Sequence, residues 1–284
     1  MSSPPNITLT STNSSTSSPT EPQLINILSA ALNSTSSCSS PQPAADKAAS
    51  QVDQLYPGSS SSADAIEAFL WSFWSLLIAA AKKISATDNT RQNLLVDIVA
   101  KLKTCRDEHV ELWGQQTRVW GELPMLGPCM REAWNLRPDF NSTSDDAIAE
   151  WISLNSFAAR LLAADLQSWV NFAIWELRAS LEEEPPWTTK ARDAGLAASC
   201  EWIRHAGLTL YRQGREAHEL DAVEQRALKP GRLLHCGASG LSDMRWSFWK
   251  ERLGLLGAGA GSGELKQRTQ ETIHGMKELE DKSS

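Results

Sequence analysis

The chain has 284 residues, with 27 Lys plus Arg against 34 Asp plus Glu and a formal net charge of -7. That length buries a real core in one or two domains. The acidic balance argues against a nucleic-acid binder, which needs a basic face for phosphates. Aromatic usage is unusual, with 12 Trp against 6 Phe and 2 Tyr, a supply of large rigid side chains that anchor cores or bind partners.

Residues 1–62 read as a disordered Ser/Thr/Pro-rich arm. Ser and Thr make up 19 of the first 40 residues, too little apolar surface to offset the entropy of ordering. Two short segments interrupt it. Leu24, Ile25, Ile27, Leu28, Ala31 and Leu32 have helical spacing, and Ala44 to Leu55 is a second short helix. Either alone is marginal. Ser3-Pro4, Ser18-Pro19 and Ser40-Pro41 match the pattern of proline-directed phosphorylation.

From 63 to 280 a single all-helical domain is expected. Ile66, Phe69, Leu70, Phe73, Leu77, Ala80 and Ile84 form one stripe, widened by Trp71, Trp74 and Ile78, so the helix is packed on several sides. A second helix follows Asp88, with Leu95, Ile98, Val99 and Leu102 inward and Arg91, Lys101 and Lys103 outward. Between Glu111 and Pro128 the periodicity stops, and Trp113-Gly114, Trp120-Gly121, Pro124 and Gly127-Pro128 predict an irregular loop pinned by Trp. A short helix over Met130 to Leu136 follows. Thr143-Ser144-Asp145-Asp146 signals a helix start, for a helix with Ile148, Trp151, Ile152, Ala159 and Leu162 on one face and Arg160 well away from it. Asp165 caps the next helix, whose inward residues are Trp169, Phe172, Ala173, Leu177 and Leu181. A long helix spans about 189–215, a short one starts at Ser242-Asp243 with Trp246, Trp249 and Leu253 inward, and residues 256–263 are a Gly-rich linker before a terminal helix. No strand is predicted, because alternating runs of β-branched and aromatic residues are absent. The expected fold is an irregular all-α multi-helix bundle, with stacked helix pairs as the alternative.

Five widely spaced Cys make neither a disulfide framework nor a zinc nucleus. Met1 to Thr10 lacks the charge and apolar run of a secretory signal. The longest uncharged apolar run, Ala68 to Ala81, has 14 residues, short of the roughly 20 needed to span a bilayer. The expectation is therefore an intracellular protein of cytoplasm or nucleus, not secreted, without a membrane span.

Three blocks carry a family resemblance: Val119-Trp120-Gly121-Glu122-Leu123-Pro124, then Glu150-Trp151-Ile152-Ser153-Leu154-Asn155-Ser156-Phe157-Ala158-Ala159-Arg160-Leu161, and Arg245-Trp246-Ser247-Phe248-Trp249-Lys250. In this order the chain resembles a large fungal family of uncharacterised helical proteins, a domain of unknown function, over roughly residues 63 to 280. The resemblance implies an all-helical intracellular protein from a filamentous fungus. It brings no catalytic residue, cofactor or partner.

Asn155 is the most informative polar position, since it falls within an apolar stripe, where an unpaired amide costs about 1–3 kcal/mol. An interhelical hydrogen bond, or a bond to the Trp113–Pro128 loop, is favoured over a ligand contact in an apolar pocket. Glu176, among Phe172, Ala173 and Leu177, is an acid/base candidate if buried; a flank paired with Arg178 is the plainer reading. His205 near Cys200 and His235 beside Cys236 do not make a Cys–His pair by adjacency alone. Trp246 and Trp249, with Arg245, Lys250 and Arg252, form a basic aromatic patch or, more simply, an amphipathic helix with Trp inward and the cations outward. No catalytic, cofactor or metal motif is placed. The function expected is a non-enzymatic interaction or scaffold protein whose partners are other proteins, with no nucleic acid. The alternative is a buried Trp-lined pocket for an apolar small molecule, in which Trp113, Trp120, Trp151 and Asn155 are the open positions.

Overall fold

Side-chain caps start five of the helices. Ser62, Asp88, Ser144, Thr188 and Ser242 each accept a backbone N–H from the first turn of their helix, satisfying donors that have no partner inside the helix. The computed structural model describes residues 6–11, 19–34, 42–185, 188–216, 219–235 and 239–282. The serines of the three Ser-Pro pairs, and Cys38 and Cys236, lie outside the described residues. The chain forms two compact units, Met1–Arg137 and Pro138–Ser284.

The first unit contains α1 (Glu21–Ser34), α2 (Gln42–Leu55), α3 (Ala63–Lys83), α4 (Asn89–Leu102), β1 (His109–Leu112), β2 (Gln115–Arg118) and α5 (Leu126–Asn135). Its centre is α3, whose Phe69, Leu70, Phe73, Trp74 and Leu77 are buried and which packs on α1, α4, α5 and β1. At 21 residues α3 is long and apolar enough to cross a membrane by length and composition; in this fold it is a core helix. The two helices of the polar arm differ from the expectation of marginal segments. Leu24, Leu28 and Leu32 of α1 and Ala45, Ala48, Ala49 and Val52 of α2 are buried, with α2 against α4 and α1 against α3. Each such leucine contributes about 1.5–3 kcal/mol of burial, so tertiary packing supplies what the isolated helices lack.

The predicted irregular loop holds a β-hairpin. β1 and β2 pair antiparallel from His109↔Arg118 to Leu112↔Gln115, leaving the two-residue turn Trp113-Gly114 with φ of 52° and 73°, the signature of a type I′ turn. Four-residue strands, the second wholly polar, gave no alternation to read. Arg91 is buried, not outward, and its Nε donates to the Leu32 carbonyl (3.0 Å) at the end of α1.

The second unit contains α6 (Asp145–Ala163), α7 (Val170–Leu177), a π-helical turn (Arg178–Glu182), α8 (Thr189–Arg215), α9 (Ala222–Ala227), α10 (Asp243–Ala258) and α11 (Gly263–Lys282). α8 is the hub, packed on α6, α7, α10 and α11. Asp165 sits at φ 54° and does not cap α7, which starts five residues later. The expected linker at 256–263 is the last turn of α10 and a tight turn into α11. Gly257 is buried there, and a Cβ on it would stand 2.5 Å from the Thr269 methyl, so glycine is what lets the two helices cross so closely.

Candidate functional site

In the first unit the polar centre lies where α2 meets the hairpin. Asp53, at the end of α2, accepts two bonds from Arg106 (Nε 2.5 Å, Nη2 2.9 Å) and one from the Trp120 indole (2.6 Å). Arg106 also donates to Glu108 (3.0 Å), and its guanidinium lies 5.2 Å from the Tyr56 ring centroid. The hydrogen bond to Asp53 holds Arg106 above its ordinary pKa, while burial pushes the Tyr56 hydroxyl up to about 12. Trp120 is fully buried in edge contact with Tyr56, Phe73 and Trp74, and the Trp74 indole donates to the Pro124 carbonyl (2.8 Å). The cluster fastens α2 and the post-hairpin loop to α3. Trp113 is different. At the hairpin tip it is 65% exposed.

In the second unit, Asn155 joins α6 to α8. Its Oδ1 accepts the Trp202 indole N–H (2.6 Å), and its Nδ2 donates to the Trp151 carbonyl (2.8 Å). Both ends of the amide are engaged within the protein, and Asn155, Trp151 and Trp202 are all buried. Arg160 is buried rather than pointing away, because α6 is covered on nearly every side from Trp151 to Leu162. Burial lowers its pKa, and the nearby Glu201 charge opposes that shift. Glu201 itself bonds to His205 (3.2 Å) and forms an ion pair with Arg268 (3.5 Å). Burial works against its charge, but bonds from His205 and Ser156 outweigh it and hold the carboxyl below the usual range. His205 thus serves Glu201, while Cys200 faces Thr269 across α8 and α11.

Glu176 is fully buried and accepts from Ser180 (3.2 Å). Arg178 is not its partner; it donates to the carbonyls of Ala227 (3.3 Å) and Lys229 (3.1 Å).

The basic aromatic patch is dismantled by the structure. Arg245 is inward, 1% exposed, on Glu182 at 0%, with bonds from Nε (2.6 Å) and Nη2 (2.9 Å). Its remaining donors reach the carbonyls of Leu228 and Gly240 (both 2.8 Å). The Trp249 indole and the Gly231 N–H complete the carboxylate (2.6 and 2.8 Å). A Cβ on Gly231 would lie 2.6 Å from Glu182, so that position admits glycine alone. Trp246 goes instead to Glu280 (2.9 Å), which also takes Lys250. Glu182 was not foreseen, yet a signal existed: Arg245 lies four residues before the inward Trp249, on the same helical face.

Each of these bonds lies within one unit, some between elements and some along a single helix. Among the described residues no group of three or more His, Cys, Asp or Glu is placed to hold a metal, and Cys105, Cys129 and Cys200 are free thiols, the first exposed.

Fold and clusters together define an all-helical protein whose buried carboxylates and indoles fasten helix to helix. The chain belongs to the DUF3632 family, proteins of unknown function, whose profile matches residues 74–253. The match runs from α3 to α10 and takes in Trp113, Trp120, Trp151, Asn155, Glu182 and Trp249. No curated protein and no solved structure matches the chain.

Proposed function

We propose that the protein is a non-enzymatic interaction or scaffold protein that works inside the cell and binds other proteins. The observation that carries this reading is Trp113. It stands 65% exposed at φ 52°, a left-handed conformation that is uncommon for a bulky side chain and which Asn or Gly adopts at lower cost. Strain kept at an exposed position is a pointer to function, and Trp is the residue type most enriched at binding hot spots. The polar groups that resemble a site are engaged in holding helices together, so the exposed surface is what remains for recognition. Among the described residues three thiols are free, one of them exposed, which suits the reducing cytoplasm or nucleus.

The test is affinity isolation of the full chain and its Trp113→Ser variant from source cells under identical conditions. A protein recovered near stoichiometry with the wild type and lost with the variant supports the reading. No stoichiometric protein with either overturns it, and equal recovery with both refutes the part given to Trp113.

A further inference from the structure

α10 is apolar on two faces. One carries Trp246, Trp249, Leu253 and Leu256 into the core. The other is outward: Met244, Phe248, Glu251 and Leu255 follow one another at i, i+4, i+7 and i+11, which places them on a single stripe. Met244 is 58% and Leu255 64% exposed, with Phe248 half-buried between them. Beside this stripe Leu233, Leu234 and His235 form the other wall of an open cleft of about 500 Å³, floored by Met244, Ser247, Phe248 and Glu251. From Met244 to Leu255 the stripe spans twelve residues and runs about 16 Å along the helix axis, the footprint of three turns of a second helix.

The charge on the α10 side of the cleft follows from where the cations of α10 go. Arg245 is spent on Glu182, Lys250 on Glu280, and Arg252 on the Leu181 carbonyl. The exposed charges left on the helix are acidic, Asp243 and Glu251, and Glu251 stands within the apolar stripe. An apolar cleft with a carboxylate set in it complements a helix with an apolar stripe flanked by Lys or Arg. Met at the rim adapts to differing side chains.

We propose that the outward face of α10, with Leu233 and Leu234, docks a basic amphipathic helix of a partner protein. This rests on the reading of the chain as an interaction protein and names the chemistry of one partner.

The experiment uses the full chain and two fluorescein-labelled, alanine-based helical peptides. Both carry leucines at i, i+4, i+7 and i+11; one has flanking lysines, the other glutamates in their place. Fluorescence anisotropy is expected to show the lysine peptide binding at least tenfold more tightly. Glu251→Lys should reverse that preference, and Phe248→Ser should weaken the lysine peptide at least tenfold. Leu255→Ser, at a more exposed position, is the second variant should Phe248→Ser misfold, with circular dichroism melts confirming that each variant is folded. Equal binding of the two peptides, or a lysine peptide indifferent to Glu251→Lys, overturns the proposal. So does a concentration-dependent dimer in sedimentation velocity that Leu255→Ser abolishes, which assigns the face to a second copy. A stoichiometric partner that depends on Trp113 but ignores Leu255→Ser overturns this proposal and leaves the broader reading standing.

Discussion

Removing the Glu182 carboxylate is a severe single perturbation of the second unit. Four donors converge on it: Nε and Nη2 of Arg245, the Trp249 indole and the Gly231 N–H. Neither charge of the pair touches solvent. Glu182→Ala leaves a buried guanidinium without its counter-ion, which typically costs about 3–5 kcal/mol. It also leaves the Trp249 N–H unpaired, a loss of about 1–3 kcal/mol taken alone. The two losses share one carboxylate and do not add, so about 4 kcal/mol is expected. The Glu182→Met, Arg245→Met double variant removes both charges and should be less destabilised than Glu182→Ala. Urea denaturation followed by Trp fluorescence reads both, since Trp249 reports from the cluster itself. A loss below about 1 kcal/mol in Glu182→Ala, against the usual cost of breaking a buried pair, would refute the clamp.

Three further outcomes follow from the same geometry. Asn155→Ala leaves the buried Trp202 N–H unpaired and should lower stability by about 1–3 kcal/mol; wild-type stability in a denaturant titration contradicts that. Deleting residues 1–60 removes Leu24, Leu28, Leu32 and Asp53, the partner of Arg106 and Trp120, and should lower the melting temperature of the first unit sharply, whereas an unchanged melt shows the arm is dispensable. Glu201 has a folded pKa below its ordinary 4.5, so its contribution is full above that value and lost as pH falls through the lower folded one. Glu201→Gln should therefore cost most near neutral pH and least in strong acid. A constant deficit across the acid range goes against this.

The helices were legible because their signals are local. Asp88, Ser144 and Ser242 cap at the starts the sequence signals, and α8 spans Thr189–Arg215 as its stripe predicts. Asn155 was readable as an interhelical hydrogen-bonding residue from its place among apolar neighbours. What escaped depends on contacts distant in sequence. Composition marks residues 1–62 as polar, yet three leucines one turn apart suffice once α2 and α3 supply a surface. Arg91 and Arg245 read as outward because arginine usually is; Arg245 is inward because the carbonyls of Leu228 and Gly240 and the Glu182 carboxylate meet it there, none visible in a helical wheel. The hairpin escaped because its turn carries Trp where Asn or Asp is the usual sign.

Site-specific photo-crosslinking at position 113 of the full chain in source cells tests the central claim most directly. The account predicts one discrete crosslinked protein from position 113, and none from the solvent-facing Lys277 on α11. The absence of a discrete product at 113, or the same product at both positions, would contradict it.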